Sequence, residues 1–243
     1  MKNYLNSIII AVAIITAGFF LAKGYEDRGK VTDSVSVTGL GEKDFTSDLI
    51  VWGGSYSKKN LDLKLAYTEL NKDQRAILKY MLSRGVKRDE IVFQAVDIQK
   101  EFYTEYDENG RERNSVFSGY NLTQNLTIQS KSVDLVEQIS REVTELIDLG
   151  IEFNSLAPEY YYTQLASLKL KMIEAATADA KERAEKIAEN AGSSLGKLKD
   201  AEMGVFQITG QNTSEDYSWG GSLNTSSKKK TANITIRLKY ATN

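Results

Sequence analysis

A stripe of small residues along one long helix constrains this chain most. Residues 164–192 read QLASLKLKMIEAATADAKERAEKIAENAG, and SSLGKL follows at once. Small and apolar residues recur at Leu165, Leu168, Met172, Ala176, Ala180, Ala184, Ile187 and Ala191. Steps of three and four place them on one side of a helix. Alanine there lets the helix come close to a sheet or to another helix, and alanine also has the best helix propensity. Elsewhere on the helix, Lys181, Arg183 and Lys186 interleave with Asp179, Glu182, Glu185 and Glu189. Pairs such as Glu182–Lys186 stand at i,i+4 and add modest helix support. A charged seam between subunits is the second reading. The helix is a packing element, and nothing along it looks like a reaction centre.

The rest of the chain offers little reaction chemistry either. It has no cysteine and no histidine in 243 residues. Thiol catalysis, disulfides and thiolate metal sites are therefore absent. So are the commonest general base near neutral pH and the commonest transition-metal ligand. Ser-His-Asp, Cys-His and HExxH chemistries cannot be assembled within the chain. No cofactor or metal site is expected. The net charge of −2 gives no global field to attract nucleic acid. The basic run Lys228, Lys229 and Lys230 reads as the solvated start of a strand and not as a phosphate site. Gly39-Leu40-Gly41 is too short for a phosphate loop and leads into a strand, which removes nucleotide binding.

The N-terminus speaks to location. Residues 4–22, YLNSIIIAVAIITAGFFLA, are almost unbroken in apolar character from Ile8 to Ala22. A run of this length can span a membrane as a signal anchor. A short basic start before an apolar middle also fits a cleaved signal peptide, but Ala22-Lys23-Gly24 is a poor cleavage site. The weak site favours the anchor. Flanking charges leave orientation open. Lys23, Arg28 and Lys30 outnumber Lys2 plus the terminal amine, which would hold the following domain in the cytoplasm.

Beyond a charged linker at 24–33, one domain is expected over 34–243. Residues 35–45 and 47–59 read as two strands joined by a short turn. The Gly39/Gly41 pair marks a strand that bends or is closely approached by backbone. A helix runs from Asn60 to Arg84, with Leu63, Ala66, Leu70, Ile77 and Met81 as its apolar stripe. Gly85 stops it. Strand 91–106 follows, then Asp107-Glu108-Asn109-Gly110, a strong hairpin signal. In the return strand Tyr120, Leu122, Leu126 and Ile128 alternate with Asn121, Thr123, Asn125 and Thr127, so one face is buried. A second helix spans Ser132 to Leu149. Its inner face is Val133, Val136, Ile139, Val143, Leu146 and Ile147, and Ser132 is a good N-cap. A strand at Ile151 leads to the cluster Tyr160-Tyr161-Tyr162. After the Ala-rich helix come a strand with Met203, Val205, Phe206 and Ile208, a mobile polar loop at 210–230, and a final strand over 231–240. In that loop only Tyr217, Trp219 and Leu223 have much to bury. This order predicts an α+β fold of antiparallel hairpins. About three helices would lie on one sheet face, with a hydrophobic helix at the N-terminus.

Several short pieces, in order, resemble the SIMPL-domain family of exported bacterial proteins, which includes periplasmic immunogens and stress-associated members. They are Val35-Ser36-Val37-Thr38-Gly39-Leu40-Gly41-Glu42, Gly85-Val86 with Asp89-Glu90-Ile91, Gly119-Tyr120, and Gly150-Ile151-Glu152-Phe153. The last piece is Ala176, Asp179-Ala180, Arg183-Ala184, Ala188, Gly192 and Leu195-Gly196. Members often carry Pro-Asp after the first strand, where this chain has Ser47-Asp48. The resemblance implies export to the cell envelope, self-assembly into homo-oligomers in some members, and in some a link to oxidative or envelope stress. It brings no catalytic residues.

Three functions are weighed. The first is a non-enzymatic envelope protein that self-assembles and supports envelope integrity or stress tolerance. The second is a glycan- or peptide-binding module using Tyr160, Tyr161, Tyr162 and Trp219, with Trp52 and Tyr56, since aromatic rings offer flat apolar faces. Core or subunit packing is the ordinary fate of such residues. The third is a hydrolase using carboxylates among Asp97, Glu101, Glu105, Asp107 and Glu108, which needs two of them placed across one bond.

Overall fold

The computed structural model describes residues 11–23, 33–216 and 218–243. Residues 4–10 of the apolar run, most of the expected linker (24–32) and Tyr217 lie outside the described residues. Residues 11–23 form helix α1. Among the described residues no helix is long and apolar enough to cross a membrane.

The chain is of the α+β class and divides into two compact units. The larger comprises Glu42–Met172 and Val205–Ile234. Its main sheet holds six strands in the order β3-β5-β2-β6, with β4 also on β5 and β7 also on β2. They are β2 (Leu49–Asn60), β3 (Ile91–Phe93), β4 (Asp97–Tyr106), β5 (Glu112–Ser130), β6 (Phe153–Ser155) and β7 (Glu159–Tyr161). All these pairings are antiparallel, and β2 lies against β5 from Ile50↔Ser130 to Asn60↔Tyr120. Helix α2 (Leu63–Ser83) packs over β2 and β5, and α3 (Val133–Glu142) packs over β2. Ala66, Leu70, Ile77 and Met81 of α2 meet Leu122, Leu126 and Ile128 of β5 and Val136 and Ile139 of α3 in one core. The expected alternation of β5 is therefore the buried face itself.

Local chemistry sets the helix ends. Asp62 caps α2 by accepting from the backbone N–H groups of Lys64 at 2.7 Å and Leu65 at 3.0 Å. Leu63, expected in the apolar stripe, lies at the exposed first turn, and Asp73 occupies the buried stripe beside Lys58 at 2.9 Å. After Glu142 the second helix tightens to 3₁₀ geometry over Val143–Leu149 and ends on left-handed Gly150. That change from 3.6 to 3.0 residues per turn swings Ile147 out of the expected inner face, leaving it exposed.

Two strand readings need correction. The expected strand 91–106 is broken. Phe93 pairs with Leu126 and Asp97 with Thr123, so one extra residue is accommodated between β3 and β4. Such a bulge reverses which face each side chain takes. The break is held by the Gln94 N–H on the Asn125 carbonyl at 2.9 Å and by the Gln124 side-chain amide on the Gln94 carbonyl at 2.7 Å. The first two strands also form no hairpin. Strand β1 (Ser34–Thr46) is a neighbour of β11 (Lys229–Thr242), whereas β2 joins the six-stranded sheet. The corner between them is pinned within the larger unit. Ser47 N–H bonds the Lys228 carbonyl and Asp48 N–H the Tyr161 carbonyl. The Asp48 carboxylate accepts from the Thr163 N–H and hydroxyl, each at 2.7 Å.

The larger unit also carries β9 (Gln207–Gly210) and β10 (Ser222–Leu223), which run parallel, with β9 antiparallel to residues 230–233 of β11. The stretch expected as a mobile loop thus contains β10 and the start of β11.

The described residues of the smaller unit lie within Met1–Gly41, Ile173–Gly204 and Thr235–Asn243. In it β8 (Leu195–Met203) pairs antiparallel with residues 236–242 of β11. The long helix α4 (Leu165–Asn190) backs β1 here, so two helices cover the six-stranded sheet and this one meets a different strand. Gly39 lies against the backbone of Ala176 and Ala180, and the Leu40 N–H bonds the Asp179 carboxylate at 2.8 Å. The close backbone approach expected at the Gly39/Gly41 pair is thus present at Gly39. Along α4 the buried residues are Leu168, Met172, Ala176, Ala180, Ala184 and Ala188. Ile187 and Ala191 face solvent. Steps of four follow the helix ridge that runs at about 26° to the axis, so the buried row drifts past Ile187 to Ala188.

Candidate functional site

The most constructed polar cluster of the larger unit centres on a lysine. Lys230 is 2% exposed, although the basic run was expected to be solvated. It shares its strand face with Ala232 and Ile234, so period-two alternation carries its stem into the interior. Its Nζ donates to the carbonyls of Tyr160, at 2.9 Å, and Asn224. Burial pushes its ammonium down to about 8, and Glu215 opposes the shift. Lys228 reaches instead to Asp134 and to Glu137, the latter at 2.8 Å, on α3. The Lys228 ammonium, aided by Tyr160 and Arg141, holds the Glu137 carboxyl below its ordinary range.

These contacts fasten the 210–228 segment to its own unit. The Gln207 amide donates to the Ser218 carbonyl at 2.7 Å and accepts from the Ser218 N–H at 3.2 Å. Glu215 accepts from Gly210 N–H at 3.3 Å and from the Asn224 amide. Lys228, Lys230, Gln207 and Asn224 each donate to a protein acceptor, and the cluster works as a clasp.

The expected aromatic platform is dispersed. Tyr160 is buried, with its ring beside Glu137. Tyr161 donates to Glu159 at 2.7 Å, and Tyr162 packs on Phe45 with ring centres 4.9 Å apart. Trp219 is 100% exposed. Trp52 is a core residue whose indole N–H reaches Ser155 Oγ and the Leu156 carbonyl, both at 3.1 Å. Tyr56 is also buried and donates to Gln124 Oε1 at 2.5 Å. Gln74 donates to the same oxygen at 3.2 Å. Burial and nearby Asp73 push the Tyr56 phenol well above its ordinary range, so it serves as a neutral donor.

Asp97, Glu101 and Glu105 of the β4–β5 hairpin are not brought into pairs. Asp97, Glu101 and Glu105 are four residues apart along one extended strand, or about 13 Å per step. Glycosidase carboxyl pairs stand roughly 5–9.5 Å apart. Glu101 is engaged by Lys59, and Asp107 accepts the turn N–H groups of Asn109 and Arg111, each at 2.9 Å. Among the described residues no group of three or more acidic side chains could hold a metal ion.

One surface had no sequence signal. A groove of about 710 Å³ opens where the start of α2 passes β4 and β5, lined by Leu61, Leu63, Tyr67, Ile98, Tyr120 and Leu122. Its ionisable rim is Asp62 and Lys64, and the Asp62 carboxylate already caps α2. The apolar surface continues along the hairpin as edge-on rings. Phe102 meets Phe117 at 5.7 Å between centres, and Phe117 meets Tyr120 at 5.1 Å. Exposed apolar patches of this kind are common places for association.

No curated protein matches this chain. A family model described as SIMPL, protein of unknown function (DUF541), matches residues 35–239 and so covers β1 through nearly all of β11. The chain belongs to the SIMPL family.

Proposed function

We propose that this chain is a non-enzymatic cell-envelope protein that self-assembles and supports envelope integrity or tolerance of oxidative stress. The observation that carries the reading is the apolar groove and its aromatic extension along β4 and β5. Exposed apolar surface of this kind marks association sites, and it supports the reading. The run 4–22 supports delivery to the envelope, as an anchor or a cleaved signal, with the family domain on the outer side of the membrane.

Light scattering of the full-length chain in detergent tests assembly. A mass above one chain that grows with concentration is expected, and a strict monomer across the range refutes it. N-terminal sequencing of fractionated cells separates anchor from cleaved signal, and protease accessibility reports the side. Cells lacking the protein should survive peroxide less well; unchanged survival removes the stress role. The glycan- or peptide-binding reading is favoured only by Trp219, whose ring is wholly exposed. Retention of the chain on cell-wall glycan, lost in Trp219→Ala, would put that reading first.

A further inference from the structure

We propose that β4 is the edge on which a second copy of this chain docks, antiparallel, with Phe102 of one copy opposite Phe102 of the other. This rests on the self-assembly reading above and names the surface that does it. Strand β4 pairs with β5 along one side, and among the described residues no strand pairs with its other side. A free edge presents a row of N–H and C=O groups ready to join another strand. It carries no proline, and Ile98, Phe102 and Tyr106, every fourth residue along a face they share with Lys100 and Thr104, are 52%, 56% and 62% exposed. They adjoin the apolar groove, which Ile98 itself lines.

Symmetry and charge select the register. A two-fold axis normal to the sheet makes an antiparallel pairing symmetric about one residue. Centred on Lys100, it sets two lysines face to face. Centred on Glu101, it opposes Glu101 to its copy and Asp97 to Glu105. Centred on Tyr103, it opposes Glu101 to Glu105. Centred on Thr104, it pairs only residues 102–106 of the strand. Centred on Phe102, it pairs residues 98–106 with no like charges opposed within that span, and at its ends Asp97 meets Asp107, whose carboxylate is held by the turn N–H groups of Asn109 and Arg111. Ile98 then faces Tyr106, Lys100 faces Thr104, Glu101 faces Tyr103 and Gln99 faces Glu105. Like charges directly opposite destabilise a pair, and aromatic pairs stabilise it. The two Phe102 rings would close the ladder of Phe102, Phe117 and Tyr120 into a continuous apolar seam across the two copies.

The chain has no cysteine, so single-cysteine variants read the register directly. Opposed residues of an antiparallel pair have Cα atoms about 4.5–5.5 Å apart, inside the range a disulfide spans. A residue one place from the axis is offset by two from its own copy, at about 8 Å, outside that range. The full-length chain is oxidised mildly in detergent as Phe102→Cys, Tyr103→Cys or Thr104→Cys and run on a non-reducing gel. Phe102→Cys should cross-link to a dimer at least about tenfold faster than the other two. Fastest linking at 103 or 104 overturns the register. Assembly by light scattering with no linking at any of the three overturns the docking edge and leaves self-assembly standing. A chain that is monomeric and unlinked overturns both.

Discussion

Replacing Gly39 by alanine tests how closely α4 sits on β1. The backbone at Gly39 has no positive φ, so alanine can adopt it, and any cost comes from contact alone. A Cβ at this position would run into the Ala176 carbonyl oxygen, and would lie 2.5 Å from Ala180 N and 2.7 Å from Ala180 Cβ. Two of these three atoms belong to the helix backbone and cannot turn aside as a side chain would. Overpacking of this kind costs about 1–3 kcal/mol, and rigid neighbours argue for the upper end. Alanine also restricts the unfolded chain, which returns up to about 1 kcal/mol. The net loss is about 2 kcal/mol. At roughly 2–4 °C per kcal/mol for a chain of this size, the midpoint of the helical signal at 222 nm should fall by about 4–8 °C. Displacement of the strand also weakens the Leu40–Asp179 bond, so amides of β1 and of the second half of α4 should exchange faster with solvent. A double variant with Ala180→Gly sharpens the test. It removes one of the three contacts and costs about 1 kcal/mol of helix propensity, so it should not rescue the melt. Full rescue would mean that only the side chains touch. A single variant melting within a degree of the parent would mean that β1 and α4 are not in close contact.

Three further perturbations follow from the larger unit. Lys230 is held by burial at about 8, below the ordinary lysine value of about 10.4, so between those limits the unfolded chain binds more protons than the folded one. The stability of the parent relative to Lys230→Met should therefore rise as pH climbs from about 8 to 10.4, read by urea melts; a flat difference would place the ammonium in solvent. Asp62→Ala removes the α2 cap and should cost about 1 kcal/mol, and no change in the urea midpoint would deny the two capping bonds. Tyr56→Phe deletes a buried hydrogen bond to Gln124 but leaves that oxygen its bond from Gln74, so a loss of about 1 kcal/mol is expected; a loss above about 3 kcal/mol would mean that the whole glutamine junction collapses.

What could be read in advance was whatever depends on one element's own period. The alternation of β5, the α2 row from Ala66 to Met81 and the small-residue side of α4 all follow from helix and strand geometry. The same rule reached further than it was taken. Lys230 lies in phase with Ala232, Ile234 and Ile236, and following that phase two residues back would have placed it inside. Charge outweighed phase in that reading, although a lysine can be buried when carbonyls receive its protons, as those of Tyr160 and Asn224 do.

Partnership was not legible, because a period says which face is buried and not what covers it. Strands β1 and β2 are separated by two residues and look like a hairpin, yet Ser47 and Asp48 hand them to different neighbours through bonds to Lys228, Tyr161 and Thr163. Those acceptors and donors lie more than a hundred residues away, out of reach of any local pattern. The spread of the aromatic cluster was out of reach for the same reason. Alternation turns Tyr160 inward and Tyr161 to the other face, and Tyr162 lies beyond the end of β7, against Phe45. The groove beside α2 is legible only once β4, β5 and the helix start are placed together, since Leu63 was counted as core on periodicity alone. The outer edge of β4 carries this one step further. Its alternation puts Ile98, Phe102 and Tyr106 on one face with Lys100 and Thr104 between them, and the three apolar side chains stay exposed among the described residues. Charge is what remains to discriminate between partners there. Of the registers that pair most of the strand, it leaves the one centred on Phe102.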